Sequence, residues 1–146
     1  IKAALLKRVA GGPAAVEAAF QRLKKDREIR GNLAAITAAG GKPEYRQANV
    51  ADPAAFGALL DELKAAGGID AVYHGAGVIE DKLLKDKTPE SFDRVFGTKV
   101  DSALTLARKL DPARTKFVAL FASITSRYGN RGQSDYAAAN EVLSKL

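Results

Sequence analysis

The groups best suited to chemistry lie near the end of the chain, where a serine, a tyrosine and an asparagine occur at short spacings. Ser123 precedes Tyr136 by thirteen residues, and Asn140 follows Tyr136 by four. Residues four apart share one face of a helix, so Tyr136 and Asn140 can address one cavity. Hydroxyl, phenol and amide groups can donate hydrogen bonds there. Taken alone, the Tyr-Ala-Ala-Ala-Asn pattern is equally typical of a small-residue helix that packs closely on a sheet.

A lysine interrupts the apolar face of the long helix predicted over residues 88–110. An unpaired buried ammonium is costly, so Lys99 must be paired, deprotonated or extended to water. Two hypotheses stay open, because Lys99 could snorkel to solvent or enter an active site at the sheet edge. At helical spacing, Lys99 falls at the centre of an apolar stripe formed by Phe92, Val95, Phe96, Ala103, Leu106 and Leu110.

The amino-acid composition restricts the available chemistry to oxygen groups and lysine. The 146 residues include no Cys and one His, His74, which excludes disulfides, cysteine nucleophiles and a zinc site built from these residues alone. We therefore assign no metal ligands. The sequence contains no apolar run of about 18 residues and no signal-peptide pattern. We expect a soluble, cytoplasmic protein with no membrane partner.

The net charge of +6 raises nucleic-acid binding as a rival function, because clustered cations neutralise phosphates. Asp26 and Glu28 interrupt the densest basic stretch, which lies on a predicted helix. We interpret this stretch as a solvated helix face and predict no nucleic-acid partner. Its basic residues are Arg22, Lys24, Lys25, Arg27 and Arg30.

The order of predicted elements indicates how the reactive groups are positioned. Residues 1–42 are helix-forming, with Pro13 at a helix start and Gly40 and Gly41 at its end. From residue 43 onward, a strand followed by a helix occurs three times. The predicted strands cover residues 43–49, 69–73 and 117–121, and the helices begin at Asp52 and Pro53, at Thr88, and near Ser134.

Three strand-helix units in succession predict an α/β fold with a doubly wound parallel sheet of the Rossmann type. Residues 117–121 are apolar at nearly every position, as in a strand buried on both faces. Ligands of such sheets bind beyond the carboxyl ends of the strands. For the glycines at these ends, ordinary turn chemistry is the alternative interpretation. The strand ends carry Asn49 and Val50, then Gly75, Ala76 and Gly77, then Ser123.

Four motifs resemble the ketoreductase domains of polyketide and polyunsaturated fatty acid synthases, within the short-chain dehydrogenase/reductase family. They are residues 68–81 (GIDAVYHGAGVIED), 92–100 (FDRVFGTKV), 121–123 (FAS) and 132–140 (GQSDYAAAN), and the resemblance covers roughly residues 27–146. Most of the wider family has Lys four residues after the catalytic Tyr. Synthase ketoreductases have Asn there and Lys on the preceding long helix, as Asn140 and Lys99 do here.

The resemblance implies reduction of a β-ketoacyl thioester, carried by an acyl carrier protein, with NADPH as hydride donor. Tyr136 would give the proton, Lys99 would stabilise the phenolate, Ser123 would donate to the substrate oxygen, and Asn140 would hold Lys99 or a water. Asn49 and Val50 would meet the adenine, although the family usually has Asp at the first of these. Gly75, Ala76 and Gly77 would let the cofactor approach the backbone. Sibling synthase domains are the implied partners.

One expected feature has no counterpart in the sequence. A dinucleotide-binding fold opens with a strand, a glycine-rich turn and a helix, and no segment here matches that pattern. The resemblance places two strands ahead of residue 1, and further strands with a lid after residue 146. We therefore expect residues 1–146 to be the central part of one ketoreductase domain, with a sheet that lacks its first and last strands and no activity in isolation.

Two alternatives to this interpretation remain. In a non-catalytic structural half-domain, Lys99 would snorkel and Tyr136 would simply pack. An epimerase or dehydratase of the same superfamily would have Lys at position 140, which Asn140 argues against. The choice of NADP over NAD rests on the resemblance alone. Ile79, Glu80 and Asp81 resemble the Leu-Asp-Asp signature of ketoreductases that give the D-configured hydroxyl.

Overall fold

The computed structural model describes residues 2, 6 and 9–146, and the chain divides into two compact units, Ile1–Gln47 and Ala48–Leu146. The first unit contains helix α1, Gly12–Ala38, with a proline in its first turn as predicted. Gly40, at φ +87°, follows its end. The helical prediction for residues 1, 3–5, 7 and 8 lies outside the described residues.

The basic stretch lies along α1 with exposed side chains, as a solvated face requires. Val16 is the buried residue of this helix, whereas Leu23 and Ile36 are exposed. Within the same unit, Lys2 forms an ion pair of 2.7 Å with Glu17. The predicted apolar repeat of α1 is therefore only slightly buried.

The strand predicted over residues 43–49 is not formed among the described residues, which corrects the first of the three strand-helix units. A strand exists through hydrogen bonds to a neighbour, and the sheet found among the described residues consists of two other strands. The helix that follows is formed: α2 runs over Pro53–Ala65. The Asp52 carboxylate caps it, accepting from the amides of Ala54 and Ala55 at 3.0 and 3.1 Å. Gly67, at φ +142°, follows its end.

The two later predicted strands form a short parallel sheet. Strand β1 is Ala71–His74 and β2 is Phe117–Leu120, paired from Ala71 with Phe117 to His74 with Leu120. The amide of Phe121 extends the ladder by donating to His74 O at 3.0 Å. Helix α3, Pro89–Lys109, connects the strands and packs against α2 and against the last helix of the chain. This arrangement is the α/β fold expected from the sequence, with an incomplete sheet.

Three helical segments complete the second unit. Leu84–Asp86 is a single 3₁₀ turn before α3, and the short helix α4, Thr125–Tyr128, is one that the sequence analysis missed. Helix α5 spans Ser134–Lys145, close to its predicted start. At the start of α3, Thr88 Oγ1 accepts from the amide of Ser91 at 3.2 Å, which confirms the predicted cap. None of the described helices has the length and apolar character that crossing a bilayer requires.

The burial predicted for residues 117–121 is wrong. Phe117, Val118 and Phe121 are 48%, 43% and 59% exposed. Apolar side chains permit burial on both faces of a strand, but burial also needs covering layers and a second neighbouring strand. Within the described residues, β2 has β1 as its one neighbour. The sheet therefore presents apolar surface on this side.

We expect Asp52→Ala to lower the free energy of unfolding by about 1 kcal/mol, because the two amides at the start of α2 lose their acceptor. Chemical denaturation measures this change. Asp52→Asn is the matched control, since asparagine caps helices as well as aspartate does. Equal losses in the two variants would show that the cap contributes nothing and that the charge of Asp52 matters instead.

Candidate active site

The centre of the site is the ammonium of Lys99, which is buried in the middle of α3. Its side chain is 4% exposed, so the snorkelling hypothesis is wrong. Lys99 Nζ donates to the carbonyl oxygen of Phe121 at 2.9 Å, just beyond β2. Burial lowers the pKa of Lys99, because water stabilises an ammonium better than this site does. Lys99 thus points at the sheet edge where a ligand is expected.

A glycine makes room for this lysine. A Cβ at Gly77 would lie 3.1 Å from Lys99 Cε and 3.6 Å from Nζ. Gly77 follows the carboxyl end of β1, so a side chain at position 77 would press on the lysine of α3, which would have to shift by a few tenths of an ångström. The glycine here therefore does more than allow a turn.

The Tyr136 ring lies beside Lys99, with Nζ 5.5 Å from the ring centroid. Tyr136 occupies the first turn of α5, and its amide donates to the Asp135 carboxylate at 2.8 Å. One helical turn later, Asn140 Nδ2 donates to Tyr136 O at 2.6 Å. Among the described residues, Asn140 Oδ1 is buried without a hydrogen-bond partner. The structure thus places Lys99 beside Tyr136, with Asn140 one turn further along the helix that carries Tyr136.

Ser123 follows β2 by three residues and bonds within its own turn. Its Oγ accepts from the amide of Thr125 at 3.3 Å and from the Thr125 hydroxyl at 3.0 Å. A hydroxyl carries one hydrogen and two acceptor positions, so these bonds leave the Ser123 hydrogen for another acceptor. Ser123 lies two residues beyond the carbonyl that Lys99 binds.

His74 ties the end of β1 to α3. Its Nε2 lies 2.6 Å from Ser102 Oγ, which donates to Thr98 O at 2.5 Å, so Nε2 carries the hydrogen. Burial, and secondarily the charge of Lys99, lower the pKa of His74. His74 is therefore neutral, and its Nδ1 is buried without a partner in the described part of the chain.

Two buried charged residues beside the site were not predicted from the sequence. Lys87 Nζ and Asp135 Oδ2 are 2.6 Å apart, with side chains 2% and 1% exposed. The two residues are 48 positions apart, and neither lies in an apolar periodic pattern. Asp135 stands directly before Tyr136, which was the one available signal.

Three of the five residues predicted to hold a cofactor line the same cavity. Val50, Gly75 and Ala76 line one cavity of about 340 Å³, together with residues of α2 and β1. Asn49 is exposed, and its Oδ1 accepts from the amide of Ala51 at 3.2 Å. Asn49 therefore caps its own turn rather than joining the other three in the cavity.

This edge of the sheet fits the nicotinamide end of a dinucleotide. A Cβ at Gly75 would meet one atom, at 4.0 Å, so its backbone is open to close approach. Asn140 Oδ1 is a buried acceptor that nothing in the described residues satisfies. The glycine-rich turn that would hold a pyrophosphate is absent from this sequence. Within residues 2, 6 and 9–146, no cluster of His, Asp or Glu could bind a metal ion.

The sequence matches a known family over most of its length. A profile described as KR domain matches residues 9–146. This chain belongs to the KR domain family. The KR domain here is 41% identical over 122 residues to part of the polyunsaturated fatty acid synthase of Thraustochytrium sp.. That match covers 82% of this chain and 4% of the relative's length.

Solved ketoreductases share the fold of this KR domain. An N-terminal ketoreductase from the macrolactin assembly line is 30% identical, with a TM-score of 0.73 over 78% of this chain and 24% of its own. The ketoreductase from the first module of phoslactomycin biosynthesis in Streptomyces sp. HK803 is 34% identical, with a TM-score of 0.68 over 74% of this chain and 25% of its own. The predicted resemblance and the predicted Rossmann-type fold are confirmed.

We expect Lys99→Met to raise the thermal unfolding midpoint of the KR domain near neutral pH. The pKa of Lys99 is lower when folded, so between that value and the pKa of an exposed lysine the unfolded chain binds more protons. Stability of the parent therefore rises with pH across this window. Below this pH range the cost of burying the Lys99 ammonium lowers the free energy of unfolding in full. Above this range the lysine is neutral in both states, so the cost is absent.

Thermal unfolding of parent and variant at several pH values measures this effect, and the advantage of Lys99→Met should shrink as pH rises. Lys116→Met, at an exposed side chain, is the control and should show no such trend. A destabilised Lys99→Met variant at neutral pH would contradict the burial penalty.

Proposed function

We propose that this chain supplies the proton-transfer groups of a ketoreductase that converts a β-ketoacyl thioester to the 3-hydroxyacyl thioester. The observation that carries the proposal is the buried Lys99 ammonium, which lies 5.5 Å from the centroid of the Tyr136 ring. A phenol is a weak acid unless something stabilises the charge left after its proton departs. A nearby cation in a site of low polarity does so strongly.

Tyr136 is the proposed general acid. Its hydroxyl proton passes to the substrate oxygen as the carbonyl carbon gains a hydride, and the phenolate is then neutralised by Lys99. One Lys99 hydrogen is held by the Phe121 carbonyl oxygen, and an ammonium has two more to direct at the phenol. The lowered pKa of Lys99 lets it release a proton more readily than an exposed lysine, which favours renewal of the phenol.

Ser123 is proposed to orient the substrate oxygen that receives the proton. Asn140 is proposed to hold Lys99 or the water that returns a proton to Tyr136. The Ser123 hydrogen, left over from its two accepted bonds, suits donation to the substrate oxygen. Asn140 Oδ1 suits a hydrogen from Lys99 or from a water that returns the proton. Both assignments come from the family resemblance, and, within the described residues, the free Ser123 hydrogen and the unpartnered Asn140 Oδ1 support them.

The proposed hydride donor is NADPH. When bound, a nicotinamide cofactor supplies the hydride that the carbonyl carbon receives. Gly75, Ala76 and Gly77 would hold its nicotinamide end close to the backbone, and Val50 would line the adenine side of the cavity. Asn49 is exposed and its side chain bonds within its own turn, so its predicted contact with the cofactor has the least structural support of this set. The preference for NADP rests on the family resemblance.

An acyl carrier protein is the proposed carrier of the substrate, and other synthase domains are the proposed partners. The multidomain relatives support this, since the chain spans 4% of the length of the fatty acid synthase protein that it matches. The alternative of a non-catalytic half-domain predicted a solvent-directed lysine, and Lys99 is buried instead. We propose a cytoplasmic location, which is the location expected from the sequence.

We expect Tyr136→Phe in the full-length protein to lower kcat by about 10²- to 10⁴-fold, because a positioned general acid contributes about that much. Binding of NADPH, followed by fluorescence, should be almost unchanged. Tyr128→Phe is the matched control, since Tyr128 is 79% exposed and should keep full activity. Full activity of Tyr136→Phe would remove Tyr136 from the mechanism.

A further inference from the structure

The acceptor atoms of Ser123 are all occupied from the first turn of α4. Its Oγ accepts from the amide of Thr125 at 3.3 Å and from the Thr125 hydroxyl at 3.0 Å. Its carbonyl oxygen accepts from the amide of Ser126 at 3.1 Å and from the Ser126 hydroxyl at 2.8 Å. A hydroxyl has two acceptor positions and one hydrogen, so the Ser123 side chain can take part in a further bond only as a donor.

The bond from the Thr125 hydroxyl goes beyond what the start of a helix needs. A serine side chain commonly accepts from the amide two residues later, as Ser123 does from Thr125. That bond uses the backbone alone, so any residue at position 125 except proline would supply it. The bond from the hydroxyl depends on the Thr125 side chain itself. Helix initiation therefore does not explain it.

The direction of this hydroxyl bond decides what Ser123 can do. Within the described residues, Ser123 Oγ is the one hydrogen-bond partner of the Thr125 hydroxyl. When Thr125 donates, the Ser123 hydrogen stays available for another acceptor. Linked hydroxyls also polarise one another, so a Ser123 hydroxyl that accepts from Thr125 is a stronger donor. Both side chains are half-buried, and water competes for any acceptor position left open.

We propose that Thr125 is a positioning residue that commits the Ser123 hydroxyl to donating, and so directs its hydrogen at the oxygen of a bound ketone. This inference rests on the proposed function. Without the Thr125 hydroxyl, one acceptor position of Ser123 is open, and a water that donates to it can turn the hydroxyl away from the ketone. With Thr125 in place, both positions are filled before substrate arrives. The donor then needs no rearrangement when the ketone oxygen gains charge.

The test uses variants of the full-length protein that change one hydroxyl at a time. Thr125→Val removes the hydroxyl with little change of shape and keeps the amide bond, and Thr125→Ser keeps the hydroxyl. Thr115→Val is the matched control, because the Thr115 hydroxyl donates to Ile69 O at 2.8 Å at the amino ends of the strands, away from Ser123. The probe is a β-ketoacyl thioester of N-acetylcysteamine, reduced with NADPH.

We expect Thr125→Val to lower kcat by about two- to tenfold, the range that one neutral hydrogen bond contributes. The KM for the thioester and for NADPH should not change, because the ketone oxygen gains its charge only in the transition state. Thr125→Ser should restore most of kcat. Thr115→Val should keep the parent's kcat, although it also loses a hydroxyl bond. A Thr125→Val variant with the parent's kcat would overturn the inference.

A loosened turn is the alternative cause of a lower kcat, and Ser126→Ala tests it. This variant removes one bond to the Ser123 carbonyl oxygen and leaves both bonds to the Ser123 hydroxyl. We expect it to keep the parent's kcat. Equal losses in Ser126→Ala and Thr125→Val would assign the effect to the turn and contradict the inference.

A double-mutant cycle with Ser123→Ala shows whether Thr125 acts through Ser123. Ser123→Ala removes the donor itself and should lower kcat by about 10²-fold. On that background, Thr125→Val should cause no further loss, since no serine hydrogen remains to be directed. Losses that multiply would show that Thr125 acts by another route, which refutes the inference. Ser123→Ala with the parent's kcat would remove the proposed role of Ser123 and this inference together.

The same cycle in thermal unfolding provides a readout that does not need activity. If the parent reduces no β-ketoacyl thioester, the proposed function fails, and the unfolding midpoints alone decide whether the two hydroxyls bond. A double variant that loses less than the sum of the two single losses shows the bond. Additive losses would show that Thr125 does not hold the Ser123 hydroxyl, and the inference would fall even in an active enzyme.

Discussion

The whole site depends on keeping one ammonium out of water. Lys99 lies on the buried face of α3 with Val95, Ala103 and Leu106, and these side chains hold the helix against its neighbours. The ammonium then needs acceptors in the interior, and the carbonyl oxygen of Phe121 supplies one at the carboxyl end of β2. Because a parallel strand ends there, the lysine arrives at the edge where a ligand can enter.

The neighbours of Lys99 are arranged around that charge. Burial and the charge of Lys99 lower the pKa of His74, which keeps the imidazole from adding a positive charge next to the lysine. The Tyr136 ring presents its electron-rich face to Nζ, which partly replaces the lost hydration. Within α5, the Asp135 carboxylate accepts from the Tyr136 amide and Asn140 donates to the Tyr136 carbonyl oxygen. The helix packs against α3, which carries Lys99.

Local patterns were sufficient to predict the parts of the fold that depend on local forces. The caps at Asp52 and Thr88 and the place of Lys99 on its helix needed only spacing and side-chain type. The strand over residues 43–49 was not formed, and β2 was not buried, because pairing and burial depend on neighbours that a local pattern does not specify. The Lys87–Asp135 pair was missed because its partners meet only after folding. The roles of Ser123, Tyr136 and Asn140 came from family resemblance and remain predictions.

The fit between Gly77 and Lys99 has a genetic consequence. Every missense change in a glycine codon adds a Cβ, and at this position that atom would lie 3.1 Å from the lysine side chain. Even alanine would require the Lys99 side chain to shift by a few tenths of an ångström. Because Lys99 Nζ is bonded to the Phe121 carbonyl oxygen, the tolerance of codon 77 depends on how far the ammonium can move and keep this bond.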